Sequence, residues 1–576
     1  MERRIFLAVF LSFVVLYAFQ ALFAPPPPPA APATEPAGAS TADSAAPSMP
    51  APPEGVPPPD PGPPPTAANA LVSEPSERDI VVETHTVRAV FTNRGGRIKA
   101  WFLKQYAADE TGTPVNLVPE STPPGTPLPF SLRVDEGALT PALNGAIYRA
   151  SQTDSTVTFE YEDTSGLRVR KVFAIDPQSY VISFTADVRQ DGQVVNPHVQ
   201  WGPGLGDVGA TSAGGSFFTG NYVQPPQAIY HDGEDVERIA AASVAEQPVS
   251  EGTFRFVGVD DHYFLAAAVN PGAVRVEYRP LTLPSGGEDP EEQRHLLAHS
   301  YRFPQPPNET KFYFGPKAFE VLRAVDGELV RAIHFGVFAW LAVPLLGALQ
   351  WIYGFVGNYG WAIIILTILI NLAIFPLRHK SVVSMRKMQE LQPQLKAIQD
   401  RYADLKVTDP ARSKMNTEVM NLYRQKGVNP ASGCVPMLLT MPVLFAFYSF
   451  LSVSIEIRGA GFGLWIHDLS RPDPYYVTPL LMAASMFWQQ KITPSTADPA
   501  QQRVMLLMPI IFSVMFLSAP SGLVIYWFVS NLWAIGQQYF TNWMLGPMPV
   551  HTVRPPAERK LKSAGAGKSE RAEKRS

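Results

Sequence analysis

Hydrophobic positions fall into three regimes: one apolar run near the start, a middle stretch of alternating apolar and polar residues, and a final third of helical apolar blocks. The first run, Ile5 to Phe23, follows Arg3 and Arg4 and is 19 residues long, enough to cross ~30 Å of hydrocarbon as a helix. A cleaved signal peptide has a shorter apolar region of about 7 to 15 residues and a small-x-small site after it. No clear site of that kind follows Phe23, so residues 1–24 read as an uncleaved membrane anchor. Residues 25–70 are mostly Pro, Ala and Gly with few large apolar side chains, a composition that cannot bury a core and predicts a disordered tether.

Residues 71–330 follow the period of strands. Val157, Phe159 and Tyr161 alternate with polar residues, Asp163-Thr164-Ser165-Gly166 reads as a turn, and Val169, Val172 and Phe173 resume the apolar pattern, predicting a hairpin. Similar runs recur at Ile80 to Phe91, Tyr180 to Val188, Phe254 to Val259, Val274 to Tyr278 and Lys311 to Phe314. Many short strands with Gly and Pro punctuation predict one all-β sandwich.

From residue 331 to 545 the period becomes helical. Residues 335–356, with Pro344 and spaced Trp340, Trp351 and Tyr353, suit an amphipathic helix at the outer membrane interface, a further span being the alternative. Spans follow at 359–377, 435–453, 475–489, 504–519 and 523–540, which with the anchor makes six. Two of the later ones hold only 15 or 16 apolar residues. Lipid thins around a short span, which lowers the barrier to moving a polar segment across.

Charge orients these pieces. Residues 71–330 carry 21 Lys+Arg against 34 Asp+Glu, residues 378–428 carry 11 against 5, and residues 546–576 carry 8 against 3. Basic segments stay in the cytoplasm, so both termini and residues 378–428 are expected inside and the acidic β domain outside, in the periplasm. The single cysteine, Cys434, excludes an internal disulfide, and the β domain must rely on its apolar core. Within 378–428, Met385, Met388, Leu391, Leu395, Ile398, Tyr402 and Leu405 form a coiled-coil-type stripe, with a weaker one through Met415, Val419 and Leu422. This predicts a cytoplasmic helical hairpin, kinked at Pro393. Its methionines either pack the hairpin or, through Met385, Met388 and Met420, present an adaptable apolar surface to nascent chains.

Gly357-Asn358-Tyr359-Gly360-Trp361, Leu391-Gln392-Pro393, Asn429-Pro430 with Gly433-Cys434, Met441-Pro442, Leu464 to Leu469 with Asp473-Pro474-Tyr475-Tyr476, Met508-Pro509, and Pro520 to Tyr526 with Ser530-Asn531 occur in one order across residues 335–545. Together they resemble the YidC/Oxa family of membrane protein insertases, and the anchor and β domain resemble its Gram-negative form. The resemblance implies a multi-domain membrane protein: an N-terminal anchor, a periplasmic all-β supersandwich, and a five-helix insertase core with a cytoplasmic hairpin. It further implies a hydrophilic groove open to cytoplasm and lipid, substrates that are nascent membrane proteins, and partnership with the Sec translocon and the ribosome.

In that family the first core helix carries a positive charge in the groove; here the corresponding position is Asn371. Thr367 and Asn371 share a helix face at i, i+4, and a polar residue inside a span is expected to face a water-filled hollow. Arg378 returns to nearly the same face ~10 Å further along. It is expected either to snorkel toward the groove mouth and partly replace the missing charge, or to anchor the helix at the interface. Met441, Pro442, Tyr526 and Trp527 are the remaining groove candidates, with packing between helices as the other reading for the last two. Ser530, Asn531, Gln537 and Gln538 are suited to bonds across helices.

Two other functions fit less well. The sequence holds no Gly-x-Ser-x-Gly, His-Glu-x-x-His or phosphate-cradling Gly-Lys motif, which argues against catalysis. A transporter would show paired repeats and ionisable residues at mid-membrane, and neither is legible here. No cofactor, metal or nucleotide is expected. The basic tail suits attraction to ribosomal RNA or anionic lipid, or simply solvation.

Overall fold

The computed structural model describes residues 70–546 apart from 109–111, 120–121, 123–124, 136–138, 206–223, 285–292, 403–410, 429–434 and 494–498. The expected anchor, the tether to residue 69, Cys434 and the tail from 547 lie outside the described residues. The described chain forms two compact units, one closing at Ile333 and the other opening at His334.

The first unit is built from antiparallel strands. Its larger sheet runs in the order Ala70–Val72, Thr156–Asp163, Leu167–Ile175, Val181–Gln190, Thr310–Pro316, Phe264–Pro284, Val249–Asp260, Gln227–His231 and Val236–Ala240. Strand Phe264–Pro284 pairs with Thr310–Pro316 through its first residues and with Gln293–Arg302 through its last. The change of partner falls near Asn270 and Gly272, where positive φ values of 47° and 69° bend the strand. A smaller sheet orders Asp79–Glu83, Val87–Thr92, Arg97–Ala107 and Pro114–Asn116. The expected hairpin is present, with Gly166 at φ 83° in its turn. The run Ile80 to Phe91 is two strands rather than one, because Thr84-His85-Thr86 closes a turn held by the Thr84 N–H to Val87 carbonyl bond of 2.8 Å.

Aromatic residues fill the space between the sheets. Phe91 of the small sheet packs at 5.1 Å from Phe173 of the large one, and the Trp101 indole N–H donates to the Phe314 carbonyl at 2.9 Å. Lys171 is wholly buried in this core; its ammonium donates to the carbonyls of Gly95, Gly96 and Phe130 at 2.6, 3.2 and 2.9 Å. Three acceptors match its three donors, which is how a cation without a carboxylate partner tolerates burial.

Asp261 is also buried, and burial pushes its carboxyl up to about 6. A carboxyl raised in the folded state contributes stability that is present below its unfolded value, about 3.9, and is lost as pH rises through about 6. Asp261→Asn keeps an oxygen for the Tyr263 and Phe264 N–H groups, which it meets at 2.9 and 2.7 Å. The variant is therefore expected to gain about 2 kcal/mol over the parent at pH 7.5 and nothing near pH 4, as measured by urea unfolding. An equal gain at both pH values would show that titration of Asp261 is not the cause.

The second unit is helical. Short helices α1 (Leu139–Gly145) and α2 (Phe319–Val325) belong to the β unit; here follow α3 (Ala339–Val356), α4 (Tyr359–Glu390), α5 (Gln392–Arg401), α6 (Ala411–Gln425), α7 (Val435–Val453), α8 (Val477–Ile492), α9 (Pro499–Met515) and α10 (Ser521–Leu545). Among the described residues, two helices are long and apolar enough to cross a membrane, Gly336–Val356 and Tyr359–Glu390. Helix α10 packs against α4 and α8, and α3 against α4 and α7. Helix α3 buries Ala342, Leu346, Leu349 and Ile352, while Trp340, Trp351 and Phe355 are exposed, so its outer face is apolar too.

Two expectations for the basic segment need correcting. Helix α4 continues unbroken from the first core span through Glu390, since Arg378-His379-Lys380 changes polarity without changing helix propensity. Pro393 does not kink a helix: Leu391 ends one and Pro393 sits in the first turn of α5, where its missing N–H is no loss. Met388 is buried with Leu391 and Val428, and Met385 packs against that cluster, so of the three methionines only Met420 is prominently exposed. Arg401 and Tyr402 at the end of α5 both bond Glu418 of α6 at 2.8 Å.

Candidate functional site

The interface of α4 and α10 carries a file of polar side chains through an otherwise apolar unit. Thr367 donates to the Ile363 carbonyl at 2.6 Å, and the Asn371 amide donates to the Thr367 carbonyl at 2.8 Å and to Ser530 Oγ at 3.4 Å. The Arg378 guanidinium donates to Asn371 Oδ1 at 3.0 Å. Further along, Gln537 reaches the Phe375 carbonyl at 3.5 Å, His379 Nδ1 meets Thr541 Oγ1 at 3.1 Å, and Arg386 donates to the Gly546 carbonyl. From Thr367 to Arg386 this seam extends roughly 28 Å along α4 at 1.5 Å per residue.

One end of the seam is shut. The loop between α7 and α8 folds over it: the Ser521 N–H and Oγ both donate to the Arg471 carbonyl at 2.8 Å, and the Gly522 N–H donates to the Leu469 carbonyl at 2.9 Å. The Asn358 amide, which also caps α4 by accepting from the Trp361 N–H, donates to the Gly461 carbonyl at 3.0 Å. Gly360 is required beneath this loop, because a Cβ there would lie 2.0 Å from the Phe462 ring. Asp473 braces the loop, accepting from the Trp465 indole at 3.0 Å and capping α8 through the Thr478 N–H at 2.7 Å.

Thr367 and Asn371 do not stand in an open hollow; they are 0% and 7% exposed. Each satisfies its polar group largely on its own helix, one turn back, which is why they can be buried without water. Arg378 does not snorkel outward either. Helical side chains lean toward the helix N-terminus, and Arg378 follows that lean back to Asn371. Tyr526 is buried and stacked on Phe447, with ring centroids 4.1 Å apart. Trp527 is half-buried and edge-on to Phe516 at 4.9 Å. Met441 is exposed on α7 and Pro442 half-buried within it, both apart from the hydrogen-bonded file. Asn531 turns the other way, to Ser485 of α8 at 3.1 Å, and Gln538 bonds Asn542 within its own helix.

Sequence reasoning missed His379, Arg386 and Thr541. The signal was present: His379 and Arg386 are seven residues apart, one step round the helix from Asn371 and Arg378. A basic residue just past an apolar run is ordinarily an interfacial anchor, so the second file was masked by its charge.

Comparison with known proteins gives the same picture over nearly the whole chain. The family model described as 60Kd inner membrane protein matches residues 351–546, and that described as YidC periplasmic domain matches residues 79–348. The membrane protein insertase YidC of Geobacter metallireducens is 35% identical over 572 residues, covering 94% of this chain and 98% of its own. That of Citrifermentans bemidjiense is 36% identical over 557 residues, covering 94% and 99%. A crystal structure of an active YidC insertase with its first transmembrane domain resolved aligns over 82% of this chain and 95% of its own, at 19% identity and a TM-score of 0.35. With relatives above 30% identity from end to end, this chain belongs to the YidC family of membrane protein insertases, in the form that joins a periplasmic β-sandwich to a helical inner-membrane core.

Proposed function

We propose that this protein inserts integral membrane proteins into the inner membrane and that their hydrophilic segments pass along the α4–α10 seam. The observation that carries this reading is a continuous polar file, Thr367, Asn371, Ser530, Arg378, Gln537, His379 and Thr541, in helices whose other faces are apolar. A segment entering the seam exchanges water for these donors and acceptors instead of for hydrocarbon, where each unsatisfied backbone group costs several kcal/mol. Its apolar neighbours leave sideways into lipid, and their partitioning, aided by the membrane potential, drives the process without nucleotide or metal. In the structure the seam is closed, so it parts to admit a substrate.

The seam's shut end faces the periplasm in this reading, with both termini, α5 and α6 in the cytoplasm. Helix α3 lies along the outer interface. Met420 on α6 and the basic tail meet nascent chains and the ribosome, and the Sec translocon is the partner for larger substrates. Met441, Pro442 and Trp527 border the lipid-side exit. Short spans thin the lipid around the core and lower the barrier further.

Locking the seam tests this. With Cys434→Ser removing the native thiol, Asn371→Cys and Ser530→Cys place a disulfide across α4 and α10. In proteoliposomes, insertion of a single-span substrate, read by protease protection, should stop on oxidation and return on reduction. Undiminished insertion by the oxidised form would place the path elsewhere.

A further inference from the structure

Two polar atoms on the inner face of α10 are buried without a hydrogen-bond partner among the described residues: the Trp533 indole Nε1 and the Gln537 side-chain Oε1. They lie four residues apart, one helical turn, on the side that carries Ser530 and Thr541. Gln537 is 5% exposed, and its amide nitrogen already reaches across to the Phe375 carbonyl of α4. One atom is a donor only and the other an acceptor only. Within a membrane-spanning unit such groups find no water and are expensive to leave unmade, and the neighbouring Ser530 and Thr541 show that α4 supplies partners where closure of the seam requires them.

We propose that Trp533 and Gln537 are substrate-contact residues that bind the main chain of the entering polypeptide, the indole N–H donating to one of its carbonyls and the Gln537 oxygen accepting from one of its amides. This rests on the α4–α10 path proposed above and adds what the path recognises. Every peptide unit carries one donor and one acceptor whatever its side chain. A one-donor, one-acceptor pair at the spacing of a helical turn therefore reads polypeptide as such and holds any sequence. Arg378 discriminates by charge and these two residues do not.

Trp533→Phe keeps an aromatic ring and removes the donor; Gln537→Met keeps the length and removes the acceptor. Each is expected to slow insertion about three- to tenfold, in line with about 1 kcal/mol for a lost hydrogen bond, and equally for substrates with acidic and with neutral translocated tails. A photoreactive phenylalanine analogue at position 533 of the full-length protein should cross-link a stalled substrate through its polar segment. Normal insertion by both variants, or the absence of a cross-link while the Asn371–Ser530 lock still blocks insertion, overturns the proposal and leaves the path standing. A defect confined to acidic tails also overturns it, because the contact would then be electrostatic.

Discussion

Arg378→Ala is expected to slow insertion of a substrate with an acidic translocated tail about tenfold and to leave a neutral-tailed one within about twofold. Arg378 is the cation that reaches into the upper seam, held to Asn371 Oδ1 at 3.0 Å. A carboxylate 4 to 6 Å from it, at an effective dielectric near 20, gains a few kcal/mol of Coulomb energy before desolvation. A net loss of about 1.4 kcal/mol is tenfold. Arg378→Lys should recover only part of the rate, because a shorter ammonium with no planar fork cannot hold Asn371 and a substrate carboxylate together. The decisive variant moves the charge: Asn371→Arg combined with Arg378→Ala places a guanidinium within the buried stretch of α4 and should restore acidic-tail insertion. Rates are read by protease protection at low and high salt, since the charge-dependent part falls with ionic strength. Equal slowing of both substrates by Arg378→Ala would make Arg378 a packing residue of the seam.

What the sequence made legible follows from how local each signal is. The hairpin around Gly166 could be read because alternation and turn chemistry lie within 20 residues of each other. The branched course of Phe264–Pro284 could not, because its two successive partners, Thr310–Pro316 and Gln293–Arg302, are chosen by packing between strands distant along the chain. In the helical unit, the shared face of Thr367, Asn371 and Arg378 came from helical spacing alone. Whether that face was wet or packed depended on α10, 150 residues later, whose Ser530 and Thr541 look like ordinary small polar residues of a span. Asn371 and Thr367 were expected in water because polar groups need partners, and the partners turned out to be carbonyls of their own helix.

The β unit offers the largest stability effect. Lys317 and Asp260 are 3% and 0% exposed, and the ammonium meets the carboxylate at 2.8 Å. Gln224 adds a longer bond of 3.3 Å to the same oxygen, while Asp260 Oδ1 has no partner among the described residues. Lys317→Met removes the cation and strands a carboxylate whose charge has no exposure to water. Breaking a buried pair in this way costs about 3–5 kcal/mol, and the position magnifies the consequence, since Lys317 directly follows the strand Thr310–Pro316 that sits mid-sheet and precedes α2. Thermal unfolding of the full-length protein, followed by proteolysis within residues 70–333, should show the loss. Adding Asp260→Leu removes the stranded charge and should recover most of it, because an apolar pair of similar volume is commonly as stable as the ion pair it replaces. If Lys317→Met alone costs less than about 1 kcal/mol, the carboxylate is being neutralised by another group, with Arg238 the nearest candidate by its electrostatic coupling to Asp260. If the double variant is no better than the single, the lysine contributes through its packed stem rather than its charge.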